Sequence, residues 1–282
     1  MSLPSSEPVL IVGGGLAGLA CARELHRQGV PFRLFEASGE LGGRVRTDKV
    51  DGFLLDRGFQ VYLEAYPEAG RLLDLEALRL GRFEPGALVF KGGRLHRLMD
   101  VFRRPAAAID ALRAPIGGLG DKLRVGLLRH RLLRTTMTEI DLMADTDTAD
   151  YLRQQGFSDA IIESFFRSFY GGIFLERDLA TSSRMFAFTF KMFSSGAATL
   201  PADGMGAIPR QMARPLPSEW LHCRRPVGTV RAGEVILRGG ERVSGRAVVL
   251  ATDGTDARAL LREEALRSAV QWRPATTLYF AA

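Results

Sequence analysis

The stretch that decides the fold is Val9-Leu-Ile-Val-Gly-Gly-Gly-Leu-Ala-Gly18. Its first four residues form a short apolar run that is typical of a buried strand, and the apolar residues from Leu16 to Gln28 recur at helical spacing. Gly29 then provides a helix stop signal, and Pro31 to Glu36 reads as a second buried strand. The order strand, helix, strand predicts a βαβ unit and therefore an α/β protein with a Rossmann-like domain.

The glycines after the first strand fit the pattern G-x-G-x-x-G, in which each glycine has a physical role. Gly13 permits the tight turn, Gly15 lets the backbone approach a pyrophosphate, and Gly18 allows the helix to pack closely on the strand. The helix N-terminus then offers backbone N–H groups and a partial positive charge to phosphates. Glu36 ends the second strand, where its carboxylate can bind ribose hydroxyls and repel a 2′-phosphate, so the sequence predicts a dinucleotide other than NADP.

A second glycine motif follows at Leu41-Gly-Gly-Arg44. Together with Thr47, it resembles a motif of the flavin amine oxidase superfamily, which includes amine oxidases, protoporphyrinogen oxidases and phytoene desaturases. The resemblance implies FAD as the cofactor, with Arg44 near the diphosphate or the flavin. A guanidinium group pairs bidentately with phosphate oxygens, and adjacent glycines allow a close approach. The segment Asp56-Arg-Gly-Phe-Gln60 is similar to the part of the family that passes the edge of the isoalloxazine ring.

The C-terminal third resembles the returning half of the same nucleotide-binding domain. Val227 to Val230, a hairpin, and the run from Ala247 to Thr252 carry this likeness. It implies that main-chain groups of Val227 hold the adenine, although a plain buried strand explains that residue equally well. The predicted cofactor-binding residues are Gly13, Gly15, Leu16, Ala17, Gly18, Glu36, Ala37, Gly42, Gly43, Arg44, Gly58, Phe59, Gln60, Val227, Thr252 and Asp253.

The predicted organisation is a Rossmann-like FAD-binding domain that is interrupted by an inserted, mainly helical substrate domain. The expected segments are 1–70 (first part of the FAD-binding domain), 71–205 (substrate domain with a short hairpin at Gly92-Gly93), 206–270 (returning part) and 271–282 (start of an incomplete substrate-domain sheet). Within them, hydrophobic patterning predicts helices over Tyr66 to Leu80 and Asp253 to Ser268, and a strand over Thr277 to Phe280.

The predicted substrate domain is unusually aromatic. Its stretch from Phe169 to Ser194 and the element Pro201 to Pro209, with a Gly-Met-x-x-x-Pro pattern, resemble the phytoene desaturase and protoporphyrinogen oxidase branch of the superfamily. An apolar substrate tunnel is one interpretation of these rings, and an ordinary aromatic core is the simpler one for most of them. The phenylalanines concerned are Phe165, Phe166, Phe169, Phe174, Phe186, Phe188, Phe190 and Phe193.

Composition excludes several other classes of protein. The chain has 282 residues, of which 46% are hydrophobic, so it can bury a sizeable core. Cys21 and Cys223 cannot form a disulfide framework or a metal site, and they favour a reducing, cytoplasmic setting. The four histidines are scattered and suggest no metal cluster or catalytic base, which is compatible with chemistry that a flavin performs. The N-terminus lacks the features of a signal peptide, and no apolar run is long enough to span a membrane.

The formal charge of +6 is concentrated between Arg103 and Arg134, where eight lysines and arginines face only Asp110 and Asp121. Leucines interleave with the arginines at helical spacing, which predicts a basic amphipathic helix or a pair of helices. Peripheral contact with a membrane surface is one hypothesis, and a solvated helical face is the simpler interpretation. Nucleic-acid binding is not expected, because no recognition motif accompanies the charge.

The sequence therefore predicts an FAD-dependent oxidoreductase that transfers a hydride from an apolar or conjugated small molecule to flavin. An amine oxidase is the alternative enzyme, and a non-catalytic or truncated FAD-binding module is the alternative outside catalysis. Members of the superfamily normally continue beyond the point where this sequence stops. We therefore expect a fragment, a truncated product, or half of a split protein whose partner chain supplies the remaining part.

Overall fold

The computed structural model describes residues 7–58, 60–261 and 272–280. The strands are β1 (Val9–Val12), β2 (Phe32–Phe35), β3 (Thr47–Val50), β4 (Phe53–Asp56), β5 (Tyr62–Leu63), β6 (Gly81–Arg82), β7 (Gly86–Lys91), β8 (Arg94–Met99), β9 (Ala198–Leu200), β10 (Leu221–His222), β11 (Val227–Arg231), β12 (Glu234–Leu237), β13 (Arg242–Ser244) and β14 (Ala247–Leu250). The helices are α1 (Leu16–Arg27), α2 (Pro67–Leu72), α3 (Ala108–Arg113), α4 (Leu119–Arg134), α5 (Met137–Leu142), α6 (Thr148–Gln154), α7 (Asp159–Ile161), α8 (Arg167–Phe174), α9 (Ser183–Ser195), α10 (Ala207–Ala213) and α11 (Gly254–Leu261). Both element types alternate along the chain, which confirms the predicted α/β class.

A parallel sheet of order β10-β2-β1-β14 forms the nucleotide-binding part of the fold. Val9 lies opposite Phe32 on one side and opposite Ala247 on the other. All four residues of β1 are buried, as expected of a central strand that is covered on both faces. The predicted βαβ unit and the predicted return of the chain to this sheet at β14 are therefore confirmed. Because the strands are parallel, their carboxyl ends share one edge.

The helix of the βαβ unit packs on this sheet through its apolar face. Leu19 and Ala22 are fully buried and contribute to a core with β1 and β2. The helix ends at Arg27, and Gly29 adopts a φ of +68°, a conformation that favours glycine at a helix end. The stop signal predicted from the sequence is thus confirmed.

Smaller sheets surround this centre. An antiparallel sheet of order β11-β12-β13 precedes β14, and β3 pairs with β4 as a hairpin. The strands β7 and β8 form the hairpin that was predicted at Gly92-Gly93, whose φ angles are +60° and +75°. Two consecutive residues with positive φ are what a tight hairpin turn requires, which explains the glycine pair.

The helices α3 to α9 form a second body of secondary structure with its own apolar core, as the periodicity of this region predicts. A π-helical turn at Ile162–Phe166 joins α7 to α8. Leu132, Ile162 and Phe166 are among the fully buried side chains of this core, together with Phe186 on α9. The helices therefore bury their apolar faces against one another rather than against the parallel sheet.

Two predicted elements differ from the structure. The helix expected from Tyr66 to Leu80 begins at Pro67 but ends at Leu72, and a turn follows in which Asp74 accepts a hydrogen bond from the backbone N–H of Ala77. The backbone of Asp74 is also held by the Gln211 side chain at 3.0 Å, so tertiary contacts override the periodicity. Thr277 to Phe280 is irregular rather than a strand, because within the described ranges no strand lies beside it to complete a ladder.

Several predictions fall wholly or partly outside the described residues. The predicted helix from Asp253 to Ser268 is seen as α11, and its continuation past Leu261 lies outside them. Phe59 and the first six residues also lie outside the described residues. None of the helices that the structure describes combines the length and apolar character needed to cross a bilayer.

Candidate functional site

The carboxyl edge of the parallel sheet brings three chain segments together. The N–H of Gly13, after β1, donates to the carbonyl of Phe35 at the end of β2 at 2.9 Å. The N–H of Ala251, after β14, donates to the carbonyl of Val12 at 2.8 Å. The turn after β1, the end of β2 and the end of β14 therefore meet at one place, which is where open α/β sheets bind their ligands.

The glycines of the first turn have different surroundings. Gly13 has a φ of +109°, and a side chain there would meet the carbonyl oxygen of Ala251 at 2.8 Å. A side chain at Gly18 would lie only 1.9 Å from the carbonyl oxygen of Gly13, so this residue permits the close packing of α1 on the turn. At Gly15, by contrast, the nearest atom to an added Cβ is the Cα of Gly43 at 3.9 Å. Gly15 is therefore the glycine of this turn that faces open space.

Leu16 and Ala17, the first two residues of α1, are both exposed beside this space. The first turn of α1 carries no acidic residue of its own that could neutralise the positive end of the helix dipole. Backbone N–H groups at such an end remain available to an anion.

Glu36 lies against the same turn. One of its carboxylate oxygens accepts from the N–H of Gly14 at 2.8 Å, and the other accepts from the N–H of Ser38 at 2.7 Å. These two bonds fix the orientation of the carboxylate, and each oxygen keeps further acceptor capacity. Ala37 follows with its side chain exposed.

The second glycine motif folds onto the first. Gly42 donates its N–H to the carbonyl of Gly14 at 2.8 Å and forms an isolated parallel bridge with Gly15. Gly43 has a φ of +58°, and a side chain there would meet the Cα of Gly15 at 3.1 Å. The two motifs, which are separated by more than twenty residues in the sequence, therefore share one gap that is kept open by glycines.

Two arginines border this gap. The exposed guanidinium group of Arg44 lies over the ring of Trp272, 5.3 Å from its centroid. Arg46 reaches Glu40 at 3.3 Å, while its buried Nε has no acceptor among the residues that the structure describes. No sequence signal identified Arg46, since an arginine in this position is indistinguishable from a surface residue until its burial is known.

Gly58 and Gln60 lie next to the second motif. Gly58 has a φ of +81°, and nothing lies within 4 Å of a side chain built on it. The amide nitrogen of Gln60 donates to the carbonyl of Arg44 at 3.1 Å and to that of Arg57 at 2.7 Å. The structure thus places Gln60 beside Arg44, while Phe59 between the two is not described.

A polar network that the sequence did not predict ties the β3–β4 hairpin to the start of α10. The hydroxyl of Thr47 donates to the Asp56 carboxylate at 2.5 Å and accepts the N–H of Gly206 at 2.7 Å. The same carboxylate oxygen of Asp56 accepts the N–H of Met205 at 2.9 Å. Glycine at 206 avoids a clash with Thr47, whose backbone nitrogen lies 3.0 Å from the site of a Cβ. The Gly-Met-x-x-x-Pro element is thereby anchored next to the second glycine motif.

The returning half contributes the remaining predicted residues. The N–H of Arg225 donates to the carbonyl of Glu36 at 2.9 Å, which leads the chain past the carboxylate toward the buried Val227 in β11. Thr252 follows β14 and lies against Gly13. The carboxylate of Asp253 accepts the N–H groups of Thr255 and Asp256, so it caps the start of α11.

The aromatic region divides into two groups. Phe166, Phe186 and Phe190 are buried in the helical core, as the simpler interpretation of this region predicted. The other five phenylalanines are only half-buried, and among them the rings of Phe165 and Phe169 stack at 5.6 Å. The half-buried group consists of Phe165, Phe169, Phe174, Phe188 and Phe193.

No group of side chains suited to a metal ion occurs among the described residues. His222 stacks on Phe35 and accepts a hydrogen bond from Arg33 at 3.2 Å. Burial, with Arg33 and Arg225 nearby, lowers the pKa of His222, so this imidazole is a satisfied structural group.

Comparison with known proteins places this geometry in a family. The family described as flavin-containing amine oxidoreductase matches residues 16–281. Over 75 residues, the chain is 41% identical to protoporphyrinogen oxidase 2 of Arabidopsis thaliana, a match that covers 27% of this chain and 15% of the relative. Over 177 residues, it is 27% identical to the coproporphyrinogen III oxidase of Bacillus subtilis, covering 59% of this chain and 36% of that enzyme.

The fold is also shared with solved structures. A putrescine oxidase bound to putrescine superposes with a TM-score of 0.62 at 20% identity, over 87% of this chain and 58% of the other. The chain thus spans well under two thirds of the length of these relatives. The match to the family covers nearly the whole sequence, including the second glycine motif. It begins at Leu16, so Gly18 of the first motif lies inside it, while Gly13 and Gly15 precede it. The chain therefore belongs to the flavin-containing amine oxidoreductase family, whose cofactor is FAD.

Proposed function

We propose that the chain binds the ADP half of FAD along its two glycine motifs and serves as an FAD-dependent oxidoreductase. The observation that carries this proposal is the meeting of the two motifs beside Glu36 at the carboxyl edge of the parallel sheet. Gly15 and Gly43 leave a gap there that any side chain would narrow. A diphosphate needs such a gap, because its oxygens must approach backbone N–H groups closely.

The residues present fit this cofactor. Glu36 is already oriented by two backbone N–H groups and keeps acceptor capacity for ribose hydroxyls. The exposed guanidinium of Arg44 offers paired donors to a diphosphate. The residues that would hold the cofactor are Gly13, Gly15, Leu16, Ala17, Gly18, Glu36, Ala37, Gly42, Gly43, Arg44, Gly58, Phe59, Gln60, Val227, Thr252 and Asp253.

The proposed chemistry is an oxidation of the substrate by hydride transfer. Bound FAD supplies the hydride acceptor, and the protein supplies binding, orientation and electrostatics. Gln60 and Arg44 are held together by a hydrogen bond and would position the part of the cofactor that lies past the diphosphate. The network of Thr47 and Asp56 keeps the second glycine motif fixed relative to α10.

For the substrate, we propose an apolar or conjugated small molecule. The half-buried phenylalanines of α8 and α9 support this choice, because aromatic rings that are only partly covered can stack on a planar ligand. The two relatives with the porphyrinogen oxidase names support it independently. A lipophilic substrate partitions into bilayers, so peripheral membrane contact is the setting that we propose for the enzyme.

Amine oxidation is the second candidate function. It is favoured by the fold shared with putrescine oxidase, which covers most of this chain. A non-catalytic FAD-binding module is the third candidate. A turnover screen with amines, polyenes and porphyrinogens separates the two enzymatic candidates, since each predicts flavin reduction by one substrate class. Retention of FAD without reduction by any class would favour the module.

The first experiment is a visible absorbance spectrum of the purified chain, followed by acid release and identification of the chromophore. Resolved flavin bands from released FAD support the proposal. A colourless protein that takes up FAD only when further family sequence is supplied would limit the proposal to the longer protein. A chain that never binds FAD would refute the assigned binding residues.

A further inference from the structure

The helix α4 has an exposed face of unusual composition. Leu119, Leu123 and Leu127 lie at four-residue spacing on this face and are 69%, 67% and 59% exposed. At 1.5 Å per residue, the row is about 12 Å long. Three exposed leucines on successive turns of a helix form a continuous apolar strip, which differs from apolar side chains that are scattered singly over a surface.

The inner face of α4 is fixed by the helical core, so the strip cannot turn inward. Leu128 and Leu132 are buried in that core. The ammonium group of Lys191 on α9 donates to the carbonyls of Leu132 and Leu133, both at 2.9 Å. The exposure of the leucine row is therefore a property of the packed helix.

Basic residues continue the same face toward the end of the helix. Arg131 follows Leu127 by four residues and Arg134 follows it by seven, so both lie on the leucine side, with Arg124 along one flank. Arg131 donates to the neutral hydroxyl of Tyr151 at 2.7 Å and keeps its charge uncompensated. Arg134 forms no ion pair with any residue that the structure describes.

The one carboxylate of α4 does not lie on this face. Asp121 is buried, where it accepts the N–H groups of Gly118 and Ser158 at 2.8 and 2.9 Å, and its carboxylate lies 4.0 Å from the guanidinium group of Arg124. The exposed face of α4, all of whose residues are described, thus combines an apolar strip with positive charge and presents no acid. Such a face repels cations. It is suited to contact with a layer whose surface is anionic and whose interior is apolar.

The neighbouring helix α3 also carries exposed apolar side chains. The side chain of Lys122 donates to the carbonyls of Leu112 and Ala114 at 2.6 and 2.8 Å, which fixes the end of α3 beside α4. Ile109 and Leu112 of α3 are also more than half exposed. Asp110 and Arg113 of the same helix are exposed as well, so α3 presents apolar side chains together with one acid and one base.

From these contacts we infer that the exposed face of α4 docks on a membrane that contains anionic lipids. The leucine row enters the interfacial layer, while Arg124, Arg131 and Arg134 contact lipid phosphates. His130, Arg131 and Arg134 also line an open cleft of about 590 Å³ between α4, α5 and α6. Glu139 of α5 lines the same cleft, and its carboxylate accepts hydrogen bonds from the N–H and the hydroxyl of Thr136. The inference shares with the proposed function only its peripheral membrane setting and requires no flavin.

Vesicle sedimentation of the purified 282-residue chain tests this inference. We expect binding to vesicles of phosphatidylcholine with phosphatidylglycerol, much weaker binding to phosphatidylcholine alone, and weaker binding at high salt, where charges are screened. The double variant Leu123→Gln with Leu127→Gln should bind anionic vesicles at least about tenfold more weakly, since two leucines no longer leave water. Arg124→Gln with Arg134→Gln should bind anionic vesicles about 25-fold more weakly and neutral vesicles unchanged.

A matched control comes from the hairpin of β7 and β8. Leu88 and Leu95 are 65% and 64% exposed, close to the values of the α4 leucines, so Leu88→Gln with Leu95→Gln should leave vesicle binding unchanged. The inference would be overturned if the α4 leucine variant and the β7–β8 control variant lost vesicle binding equally, or if the unmodified chain did not bind anionic vesicles. A concentration-dependent dimer in analytical ultracentrifugation that only the α4 variant abolishes, without vesicle binding, would instead assign the face to a second copy. Flavin content does not enter these measurements, so failure here is distinct from failure of the proposed function.

Discussion

The glycine turn after β1 and the aromatic helices α8 and α9 represent opposite ways in which a sequence encodes a site. In the turn, three glycines at fixed spacing have different tasks, and the surroundings of an added Cβ range from a severe clash at Gly18 to open space at Gly15. In these helices and the π-helical turn before α8, eight phenylalanines look alike in the sequence, but three are buried and five are half-buried. The first region is defined by backbone geometry and the second by packing.

The difference has a physical cause. Few residues other than glycine tolerate a positive φ or a backbone contact without a Cβ, so a glycine pattern restricts the possible structures strongly. A phenylalanine is compatible with almost any apolar environment, including a core, a tunnel and an interface. Substitutions can therefore test two contrasts. One is between Gly18 and Gly15 in the turn, and the other is between the buried and the half-buried phenylalanines.

The largest expected effect concerns the aromatic core. Phe186 is fully buried and packs against Tyr170 with ring centroids 4.7 Å apart, so Phe186→Ala should lower the free energy of unfolding by about 3 to 5 kcal/mol. The matched change Phe193→Ala, on the same helix but half-buried, should cost clearly less. Urea unfolding followed by circular dichroism measures both. Equal losses would mean that the two groups of phenylalanines are energetically one core.

Gly18→Ala should have the next largest effect on stability. The added Cβ would lie 1.9 Å from the carbonyl oxygen of Gly13, so the turn and α1 must separate, at a cost of about 3 kcal/mol. Gly70→Ala is the control, because Gly70 lies within α2 with nothing within 4 Å of a Cβ and should gain up to about 1 kcal/mol from helix propensity. A neutral result for Gly18→Ala would contradict the close packing of α1 on the turn.

Gly15→Val separates ligand binding from folding. Its φ of −73° suits any residue and its Cβ meets only Gly43 at 3.9 Å, so the variant should fold with nearly unchanged stability. The side chain would occupy the gap proposed for the diphosphate, and we expect FAD affinity to fall about 100-fold or more, equivalent to about 2.7 kcal/mol. Quenching of flavin fluorescence during titration measures the affinity. A variant with a full complement of FAD would exclude this gap as the binding site.

Glu36→Gln should have the smallest effect of the series. The substitution removes the charge and leaves one of the N–H groups of Gly14 and Ser38 facing an amide donor. Loss of one charge-assisted acceptor for ribose should weaken FAD binding about tenfold. Glu68→Gln, at an exposed carboxylate paired only with Arg71, is the control and should bind FAD like the unmodified chain. Indistinguishable affinities in the two variants would remove Glu36 from the proposed site.

The success and failure of the sequence predictions follow the same division. The βαβ unit, the hairpin at Gly92-Gly93 and the return of the chain at β14 were predicted correctly, because each rests on glycine positions or on a short apolar run. The predicted helix beyond Leu72 was wrong, since the side chain of Gln211, distant in sequence, accepts from the N–H of Asp74 and donates to its carbonyl in place of helical bonds. The assignment of individual residues to FAD remains a prediction that the binding experiments above must test.

By itself, the sequence determined the α/β class, the two glycine motifs, the acid at the end of β2 and the concentration of charge between Arg103 and Arg134. These features are local, because they depend on backbone conformations that few residues can adopt or on composition along a short stretch. Only the tertiary structure decided that Gly15 faces Gly43, that Thr47 and Asp56 anchor the start of α10, which phenylalanines remain half-buried, and that the leucines of α4 face outward while Asp121 faces inward. Those outcomes depend on contacts between residues far apart in the chain, which no local pattern specifies.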